Sequence, residues 1–507
     1  MTVTAEEQRQ RLASPWIRGA AAALAGALPA LAFPAPSLWW LAYVALVPWM
    51  LLARSAGSPR RAILDGWLGG AGFMLAVHHW LLASLNVFLV VLALLLGALW
   101  APWGWLVRRL LGAGAEGPPR LLPALVLLPC GWLMVELVRS WQYLGGPWGL
   151  LGASQWQVAP ALRLVSVGGV WLVSLLVVLV NTVVVALITV PALRGPAAGA
   201  LLGTAVLTAA VWLWTPQPHP AGSTRIAVVQ PGVIATGGAR LDREARLTGQ
   251  LAGSHPDLVV WGESSIGVDL TSRPDVARRL AALSRQVGAD LLVNVDAERA
   301  DGGGISKTTV LVGPGGVTGP TYDKMRLVPF GEYIPLRSVL GWATSVGKAA
   351  GEDRQPGSRQ VVMAAGRLRF GPLVCFETAF PDMSRHLAGD GAQLLVAQSS
   401  TSSFQHSWAP AQHASLAALR AAESWRPMVH ATLTGTSAVY DADGRRVGRR
   451  IGTGASTSAV YEVPLAAGRS PYVRFGDWAP HLALLLVLAA AAYELTRAVR
   501  RPVPVPR

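Results

Sequence analysis

Apolar residues dominate the first part of the chain, from about Ile17 to Trp214, and return in one further run near its end. A helix that crosses a bilayer needs about 20 mostly apolar residues. Eight runs come close to that length: 17–33, 37–54, 62–82, 85–107, 121–139, 165–190, 197–215 and 479–496. The pattern therefore predicts a membrane α-helical bundle of about eight spans.

Near Thr224 the pattern changes to short apolar runs that alternate with helical stretches. Near-continuous apolar strands separated by helices indicate an α/β domain with covered sheets. The predicted helices are 241–254 and 276–287, and the predicted strands are 225–230, 257–261, 290–295, 308–312, 369–375, 393–397, 428–432 and 436–440. We expect three parts: transmembrane helices 1–7 in residues 1–216, a globular domain in 223–472, and transmembrane helix 8 with a cytoplasmic tail in 479–507.

The formal net charge of +15 resides largely in arginines that lie in alternate loops between the apolar runs. By the positive-inside rule, this alternation predicts that both termini are cytoplasmic and that the globular domain is extracytoplasmic. A count of seven or nine spans would invert that orientation. The sequence has no dense basic stripe interleaved with aromatic residues, so we expect no nucleic-acid partner.

Cys375 ends the apolar run 369–375 and is followed by Phe376 and Glu377. The chain has two cysteines, and the other, Cys130, lies in a long apolar segment. This count excludes a disulfide scaffold and a thiolate-rich zinc site. A thiol at the end of a buried strand is a common way to present a nucleophile. The alternative interpretation is a small buried hydrophobic residue.

Two further polar residues fit chemistry at a cysteine. Glu263 follows the strand 257–261, where a carboxylate is available as a general base, although helix capping is the alternative. Lys324 is one of only three lysines and lies among aromatic, proline and apolar residues, although a solvated surface lysine is the alternative. A cysteine that attacks a carbonyl needs a base for its proton and donors for the developing oxyanion. Glu263 would supply the base, and Lys324 with the backbone N–H of Phe376 would supply the donors.

Other residues near these three have alternative interpretations. Glu332 and Glu377 are candidate supporting carboxylates that position the lysine and the thiol, and either is alternatively a surface acid. His406 and His413 suggest a Cys–His pair, but neither follows a predicted strand, and we interpret His413, on an ordinary predicted helix, as structural. The segment 145–152 is too rich in glycine for a lipid-facing helix. An interfacial turn anchored by Trp148 and the lining of a substrate channel are equally consistent with it.

The order Glu, Lys, Cys at strand ends is the signature of the nitrilase superfamily. With the eight predicted spans, it makes the chain resemble the apolipoprotein N-acyltransferase family over nearly its full length. The most specific segment is Tyr322–Pro335, which contains Lys324. Two further segments are similar to the family: Ser166-Val167-Gly168-Gly169-Val170 and Tyr472-Val473-Arg474-Phe475-Gly476-Asp477-Trp478.

The resemblance implies a nitrilase-like α-β-β-α sandwich on the outer surface of the cell membrane and a ping-pong reaction. A phospholipid acyl donor would acylate Cys375 as a thioester, and a diacylglyceryl-modified lipoprotein acceptor would receive the chain on its α-amino group. Glu263 would be the base, Lys324 the oxyanion stabiliser, and Glu332 and Glu377 supporting groups. No cofactor or metal is implied.

The chain departs from the family at three places. Phe376 stands where many members have tyrosine after the nucleophile, and Leu241 or a neighbour stands where a tryptophan is common. The segment Ser400–Ser403 with Phe404 replaces an Asn-Asp-x-Trp-Phe pattern. These loops bear on acyl-donor choice and rate.

Two other functions remain open from the sequence. One is a membrane-tethered nitrilase-like amidase or hydrolase that uses the same residues with water as the acceptor. The other is a degenerate domain that serves as a scaffold for a membrane glycosyltransferase. The predicted spans favour lipid substrates, and the intact set of Glu263, Lys324 and Cys375 argues against the scaffold.

Overall fold

The computed structural model describes residues 14–112, 118–300, 302–341 and 351–499. Helices fill the described chain up to Trp214, two β-sheets follow, and the last helix ends at Val499. The terminal arginines that contributed to the predicted orientation lie outside the described residues: Arg9, Arg11, Arg500, Arg501 and Arg507.

The described residues up to Trp214 form these α-helices: α1 Pro15–Ala27, α2 Val47–Arg54, α3 Pro59–Val77, α4 Leu82–Leu85, α5 Val87–Gly97, α6 Ala101–Leu111, α7 Leu121–Arg139, α8 Ala159–Thr189 and α9 Arg194–Trp214. Small residues let some of them pack backbone to backbone, as is usual between membrane helices. A Cβ atom added to Gly26 on α1 would lie 1.9 Å from the carbonyl oxygen of Gly69 on α3. Any larger residue at position 26 would therefore push these two helices apart.

The predicted count of about eight spans is not confirmed. Five described helical segments are long and apolar enough to cross a membrane, and a pair bent by 65° makes a sixth if it is counted as one span. The five are Val87–Leu111, Leu121–Arg139, Ala159–Thr189, Pro191–Trp214 and Trp478–Arg497, and the bent pair is Pro59–Val77 with His79–Leu85. The runs 17–33 and 37–54 are instead divided between the short helices α1 and α2 and the 3₁₀ turns Leu28–Ala32 and Trp39–Tyr43. Pro29 lies in the first of these turns, where it removes a donor that a continuous helix would need.

The described residues after Trp214 form these strands: β1 His219–Gln230, β2 Leu258–Trp261, β3 Asp290–Glu298, β4 Ile305–Gly313, β5 Gly316–Asp323, β6 Met363–Ala365, β7 Leu368–Val374, β8 Leu394–Ser399, β9 Met428–Thr432, β10 Ser437–Tyr440, β11 Arg446–Ile451 and β12 Thr457–Ala467. They make two six-stranded sheets, in the orders β12-β1-β2-β3-β4-β5 and β11-β10-β9-β8-β7-β6. In each sheet three neighbouring strands are parallel: β1, β2 and β3 in the first, and β7, β8 and β9 in the second.

The remaining described α-helices are α10 Gly237–Gly249, α11 Pro274–Val287, α12 Arg337–Leu340, α13 Pro381–Gly389, α14 Ala409–Ser424, α15 Pro471–Phe475 and α16 Trp478–Val499. The expected α/β domain with covered sheets is confirmed. Both predicted helices are present as α10 and α11, and all eight predicted strands are present. The sequence did not predict β5, β6, β11 and β12, which are the four edge strands of the two sheets.

The domain has four layers. Apolar side chains such as Val228 and Val260 of the first sheet meet Phe370 and Val396 of the second and form the core between the sheets. Helices α10 and α11 cover the outer face of the first sheet. Helices α13 and α14 cover the outer face of the second sheet, and their core is continuous with that of the N-terminal helices. The α-β-β-α sandwich therefore rests on the membrane helices through the helix layer of its second sheet.

Helix α8 is kinked at Gly168 and Gly169, and Gly169 has a φ of 70°. A Cβ atom on Gly169 would lie 2.8 Å from the ring of Tyr472, and the indole Nε1 of Trp478 donates to the carbonyl oxygen of Val167 over 2.9 Å. The two segments that carried part of the family resemblance therefore contact each other, at the junction between the membrane helices and the globular domain.

Candidate active site

Glu263, Lys324 and Cys375 lie just beyond the ends of three strands, β2, β5 and β7, and their side chains meet between the two sheets. The Lys324 Nζ lies 3.1 Å from the Glu263 Oε1, and the charges of both groups act on the pKa of the Cys375 thiol. Glu263 and Lys324 belong to the first sheet, whereas Cys375 belongs to the second. The site is therefore assembled across the sandwich, from both sheets.

Gly262 permits the close approach of the two sheets beside Glu263. A Cβ atom at this position would lie 1.9 Å from the backbone nitrogen of Leu433, which directly follows β9 of the second sheet. The backbone nitrogen of Glu263 then donates to the carbonyl oxygen of Ser399 over 3.2 Å. This backbone contact fixes the position of Glu263 relative to the second sheet, which carries Cys375.

Cys375 adopts a left-handed backbone conformation, with a φ of 52°. This conformation costs a non-glycine residue about 1–3 kcal/mol and occurs often at functional sites. The Nε2 of His413 on α14 donates to the carbonyl oxygen of Cys375 over 2.9 Å, and the Sγ lies 3.8 Å from the carbonyl oxygen of Ser400. The sequence prediction of a structural His413 missed this contact, because nothing in the sequence brings α14 to the nucleophile.

Lys324 is fully buried and is held by two carboxylates. Its Nζ lies 2.7 Å from the Oε1 of Glu332, in addition to its contact with Glu263. The Oε2 of Glu332 accepts the backbone N–H of Val328 over 2.8 Å. Glu332 is thus a buried partner of the lysine rather than a surface acid.

Lys307 on β4 is a further charged group of this cluster, which the sequence did not predict. Its Nζ lies 2.8 Å from the Oε1 of Glu263 and 3.0 Å from the Oε1 of Glu332. Asp296 is farther away, at 3.6 Å. The scarcity of lysine was the only signal in the sequence that could have drawn attention to it.

Glu377 is completely buried and accepts four hydrogen bonds. The donors are the backbone nitrogen of Val374 (2.7 Å), the hydroxyl of Tyr322 (2.7 Å) and the backbone nitrogens of Met325 (2.7 Å) and Arg326 (3.1 Å). Val374 directly precedes Cys375, and Met325 directly follows Lys324. Glu377 therefore joins the segments that carry the thiol and the lysine.

The charges of the cluster shift its proton equilibria in opposite directions. Burial alone would raise the pKa of Glu263, but the ammonium groups of Lys307 and Lys324 outweigh it and lower that pKa to about 2. Burial and the neighbouring Glu263 carboxylate raise the pKa of the Cys375 thiol to about 12. Burial lowers the pKa of His413 to about 4, so this imidazole is neutral near pH 7. The resting site therefore holds a thiol and a carboxylate.

Phe376, the residue after Cys375, contacts the N-terminal helical part of the chain. Its ring packs edge-to-face on Phe380, with centroids 5.0 Å apart. Gly146 lies against both rings, and a Cβ atom added to it would be 2.7 Å from each. The glycine-rich segment 145–152 thus packs on the residue that follows Cys375.

Trp148 is buried rather than placed at a lipid–water interface. Its Nε1 donates to the Oε1 of Gln412 over 2.8 Å, and the Nε1 of Trp80 donates to the same oxygen over 3.2 Å. The ring of Phe404 lies 4.8 Å from that of Trp80. The segment 400–404, which departs from the family pattern, therefore lies between Cys375 and the bent helix pair.

Leu241, the other departure, lies on α10 and packs against the core beneath that helix, on the outer face of the first sheet. Within the described residues, no group of three or more His, Cys, Asp and Glu side chains is placed to hold a metal ion. The carboxylates of the site are instead neutralised by the two lysines.

The four-layered domain with Glu, Lys and Cys at its strand ends defines the class of protein. Residues 225–470 match the family described as carbon-nitrogen hydrolase. Residues 25–183 match the family described as the apolipoprotein N-acyltransferase N-terminal domain. The chain thus joins a nitrilase-type domain to an apolar helical domain. It belongs to the apolipoprotein N-acyltransferase family.

Relatives named apolipoprotein N-acyltransferase match nearly the whole chain. The protein from Geobacter metallireducens is 31% identical over 93% of this chain and 95% of its own length. That from Azotobacter vinelandii is 31% identical over 97% of each chain, and that from Pseudomonas aeruginosa is 30% identical over 94% of this chain and 96% of its own.

Solved structures match the globular domain at lower identity. An amidase from Nesterenkonia sp. is 19% identical, with a TM-score of 0.35, over 50% of this chain and 93% of its own. A nitrilase-superfamily protein from Saccharomyces cerevisiae is 16% identical, with a TM-score of 0.38, over 49% of this chain and 91% of its own.

Proposed function

We propose that this chain transfers a fatty acyl group from a phospholipid to the α-amino group of a diacylglyceryl-modified lipoprotein, through a thioester on Cys375. Membership of the apolipoprotein N-acyltransferase family supports the overall reaction. The observation that carries the residue assignment is the burial of Glu263 and Lys324 in contact with each other, where their charges act on the Cys375 thiol.

In the first half-reaction, the Sγ of Cys375 attacks the ester carbonyl of the phospholipid while its proton moves to Glu263. The tetrahedral intermediate collapses, the lysophospholipid alkoxide leaves, and Glu263 returns the proton to that oxygen. A thioester remains on Cys375. Because the resting thiol has a high pKa and Glu263 a low one, the proton moves together with the attack rather than before it.

The oxyanion of that intermediate needs donors that are already in place. Lys324 supplies an ammonium group, and the backbone N–H of Phe376 lies in the first turn of the 3₁₀ segment Cys375–Ala379, where helical N–H groups have no partner within the turn. Losing one oxyanion donor typically costs about 3 kcal/mol of transition-state stabilisation.

In the second half-reaction, the amine of the lipoprotein attacks the thioester. Glu263 accepts a proton from the amine and delivers it to the departing Sγ, which restores the thiol. The acceptor and the donor are both anchored in a bilayer, so a site next to the membrane helices raises their local concentration.

We also propose the division into residues 1–216, 223–472 and 479–507 and the orientation with both termini cytoplasmic and the globular domain extracytoplasmic. The alternating arginines support this orientation. Protease added to spheroplasts should cleave the globular domain from outside. Protection of that domain until the membrane is opened would refute the orientation.

The reaction is tested with a radiolabelled phospholipid and no acceptor. Wild-type protein in detergent should retain a hydroxylamine-labile acyl group, and Cys375→Ser should retain none. Cys130→Ala is the matched control, since it removes the other cysteine and should label normally. A labelled Cys375→Ser protein would refute the assignment of Cys375 as the nucleophile.

Adding a diacylglyceryl-cysteine lipopeptide should move the label to the peptide as an alkali-stable amide. Release of the label as free fatty acid in the presence of the lipopeptide would instead show a hydrolase. Lipopeptide labelling by Cys375→Ser would remove the covalent route altogether.

A further inference from the structure

Lys307 places a second ammonium group in the candidate site, and the reaction described above does not use it. The chain contains three lysines, Lys307, Lys324 and Lys348, among 507 residues. Two of these three donate to the same oxygen, the Oε1 of Glu263, over 2.8 and 3.1 Å. Such a concentration of a rare residue at one carboxylate oxygen requires a physical explanation.

The two lysines are coupled through the backbone. They lie on and beside the neighbouring strands β4 and β5, and the backbone nitrogen of Lys324 donates to the carbonyl oxygen of Lys307 over 2.9 Å. Each ammonium group contacts the Oε1 of both Glu263 and Glu332. Two positive and two negative groups thus alternate around a closed ring.

Asp296 does not account for the position of Lys307. This carboxylate is 3.6 Å from the ammonium group, farther than either glutamate, and it already accepts the hydroxyl of Ser264 over 2.9 Å. Arg354 approaches its other oxygen at 3.3 Å. The closest partners of Lys307 are therefore the two glutamates of the candidate site.

The ring has consequences for the nucleophile. Glu263 and Glu332 carry two negative charges, which Lys324 alone would leave half neutralised. An excess negative charge beside Cys375 disfavours both a thiolate and an oxyanion. Both lysines hold the Oε1 of Glu263, which leaves its second oxygen free of lysine contacts.

We propose that Lys307 is a positioning residue for the acyl-transfer reaction. It fixes the Glu263 carboxylate with one oxygen available to the Cys375 thiol. It also supplies the charge that lets Lys324 turn from the glutamates to the oxyanion once Glu263 has taken the proton. This role rests on the proposed function of Cys375 and Glu263.

The test uses full-length protein in detergent, with Cys130→Ala as the background so that Cys375 is the only thiol. Lys307→Met removes the charge and keeps the length of the side chain, and Lys307→Arg keeps the charge with a different shape. Arg273→Met is the control, because it removes a cation from the exposed pair with Asp275, whose side chains are 51% and 55% exposed.

The first measurement is the rate of Cys375 alkylation by iodoacetamide as a function of pH. The charged groups that face Cys375 are Glu263, Glu332, Lys307 and Lys324, with the neutral His413 on its carbonyl. Lys307→Met should move the profile to higher pH, since one of the two cations that favour the thiolate is gone. Lys307→Arg should recover most of the shift, and Arg273→Met should match the wild type.

The second measurement is the rate of single-turnover acylation by labelled phospholipid. A positioned base contributes roughly 100- to 10,000-fold, so its partial displacement in Lys307→Met should slow acylation by about 10- to 100-fold. Lys307→Arg should fall between Lys307→Met and the wild type.

If Lys307→Met has the same alkylation profile and the same acylation rate as the wild type, the proposal is overturned. Failure of both Lys307 variants to accumulate as folded protein would also overturn it, by assigning the residue a structural role. If the wild type itself forms no acyl-enzyme, the proposed function fails. The alkylation profile needs no substrate and would still decide whether Lys307 acts on the thiol.

Discussion

Replacing Glu377 by glutamine or alanine is expected to loosen the connection between the nucleophile and the segment that carries Lys324. Glu377 is 0% exposed, and its four hydrogen bonds come from both sides of the site. Three of the four donors contact the Oε1, and one, the backbone nitrogen of Val374, contacts the Oε2. Glutamine therefore removes one of the two acceptor oxygens, and alanine removes both.

The expected losses of unfolding free energy follow from the hydrogen bonds that each substitution removes. A glutamine with its oxygen in the Oε1 position keeps three acceptor contacts and turns its NH₂ group toward the N–H of Val374. Losing a hydrogen bond to a charged group costs about 1.5–3 kcal/mol. Burial raises the pKa of Glu377, so glutamine also relieves the cost of burying a charge. We expect the free energy of unfolding to fall by about 2 kcal/mol for glutamine. For alanine, which leaves all four donors unpaired, we expect a fall of about 4 kcal/mol or more.

Thermal unfolding in detergent measures the stability, and trapping of the labelled acyl group measures the activity. Alanine should lower both the midpoint and the acylation rate, and glutamine should lower them less. Glu462→Gln is the matched control, because Glu462 is exposed and accepts one hydrogen bond, from Ser223. An unchanged midpoint and acylation rate in Glu377→Ala would refute the idea that this carboxylate joins the two segments.

Two further perturbations test the contacts between the globular domain and the membrane helices. Gly146→Ala should slow acylation and lower the unfolding midpoint, since its Cβ would lie 2.7 Å from Phe376 and Phe380 at a φ of 68°; wild-type values in both assays would contradict the packing. Burial raises the pKa of Glu423 to about 7. The folded state therefore binds this proton more tightly than the unfolded state does, and the free energy of unfolding falls as the pH rises from about 4.5 through 7. Glu423→Gln should flatten that slope in unfolding midpoints measured from pH 5 to 8, and an identical slope in both proteins would contradict it.

The strands that the sequence predicted are those with sheet neighbours on both sides. A central strand is buried on both faces and therefore forms a continuous apolar run, as in β2, where all four residues are buried. An edge strand has one neighbour and exposes much of its length, as in β5 and β11. Apolar runs therefore locate the centre of each sheet and miss exposed edges such as β5 and β11, whereas β6 was missed because it is only three residues long.

The same physics explains which site residues the sequence predicts. Glu263 and Cys375 are polar residues at the ends of central, apolar strands, so the pattern marks both. Lys324 follows an edge strand, which the apolar pattern does not reveal. It is identified instead from the segment Tyr322–Pro335, which resembles the family. Lys307 lies in the polar first half of β4, ahead of the apolar run 310–312, and its partner Glu263 is 44 residues away in the chain. Only the pairing of strands brings these two side chains together.

The division of the site between the two sheets bears on how a lipid reaches the thiol. Glu263 and both lysines come from the first sheet, whose outer helices α10 and α11 pack on a core of their own. Cys375, the proposed nucleophile, comes from the second sheet, whose helices share a core with the membrane part. Contacts from that part reach both sides of the site: Gly146 lies on Phe376 beside Cys375, and the ring of Tyr143 lies 6.4 Å from that of Tyr333, next to Glu332. The membrane part is therefore placed against the segments of both Cys375 and Glu332, so a change in its packing would reach the thiol and the charged cluster together.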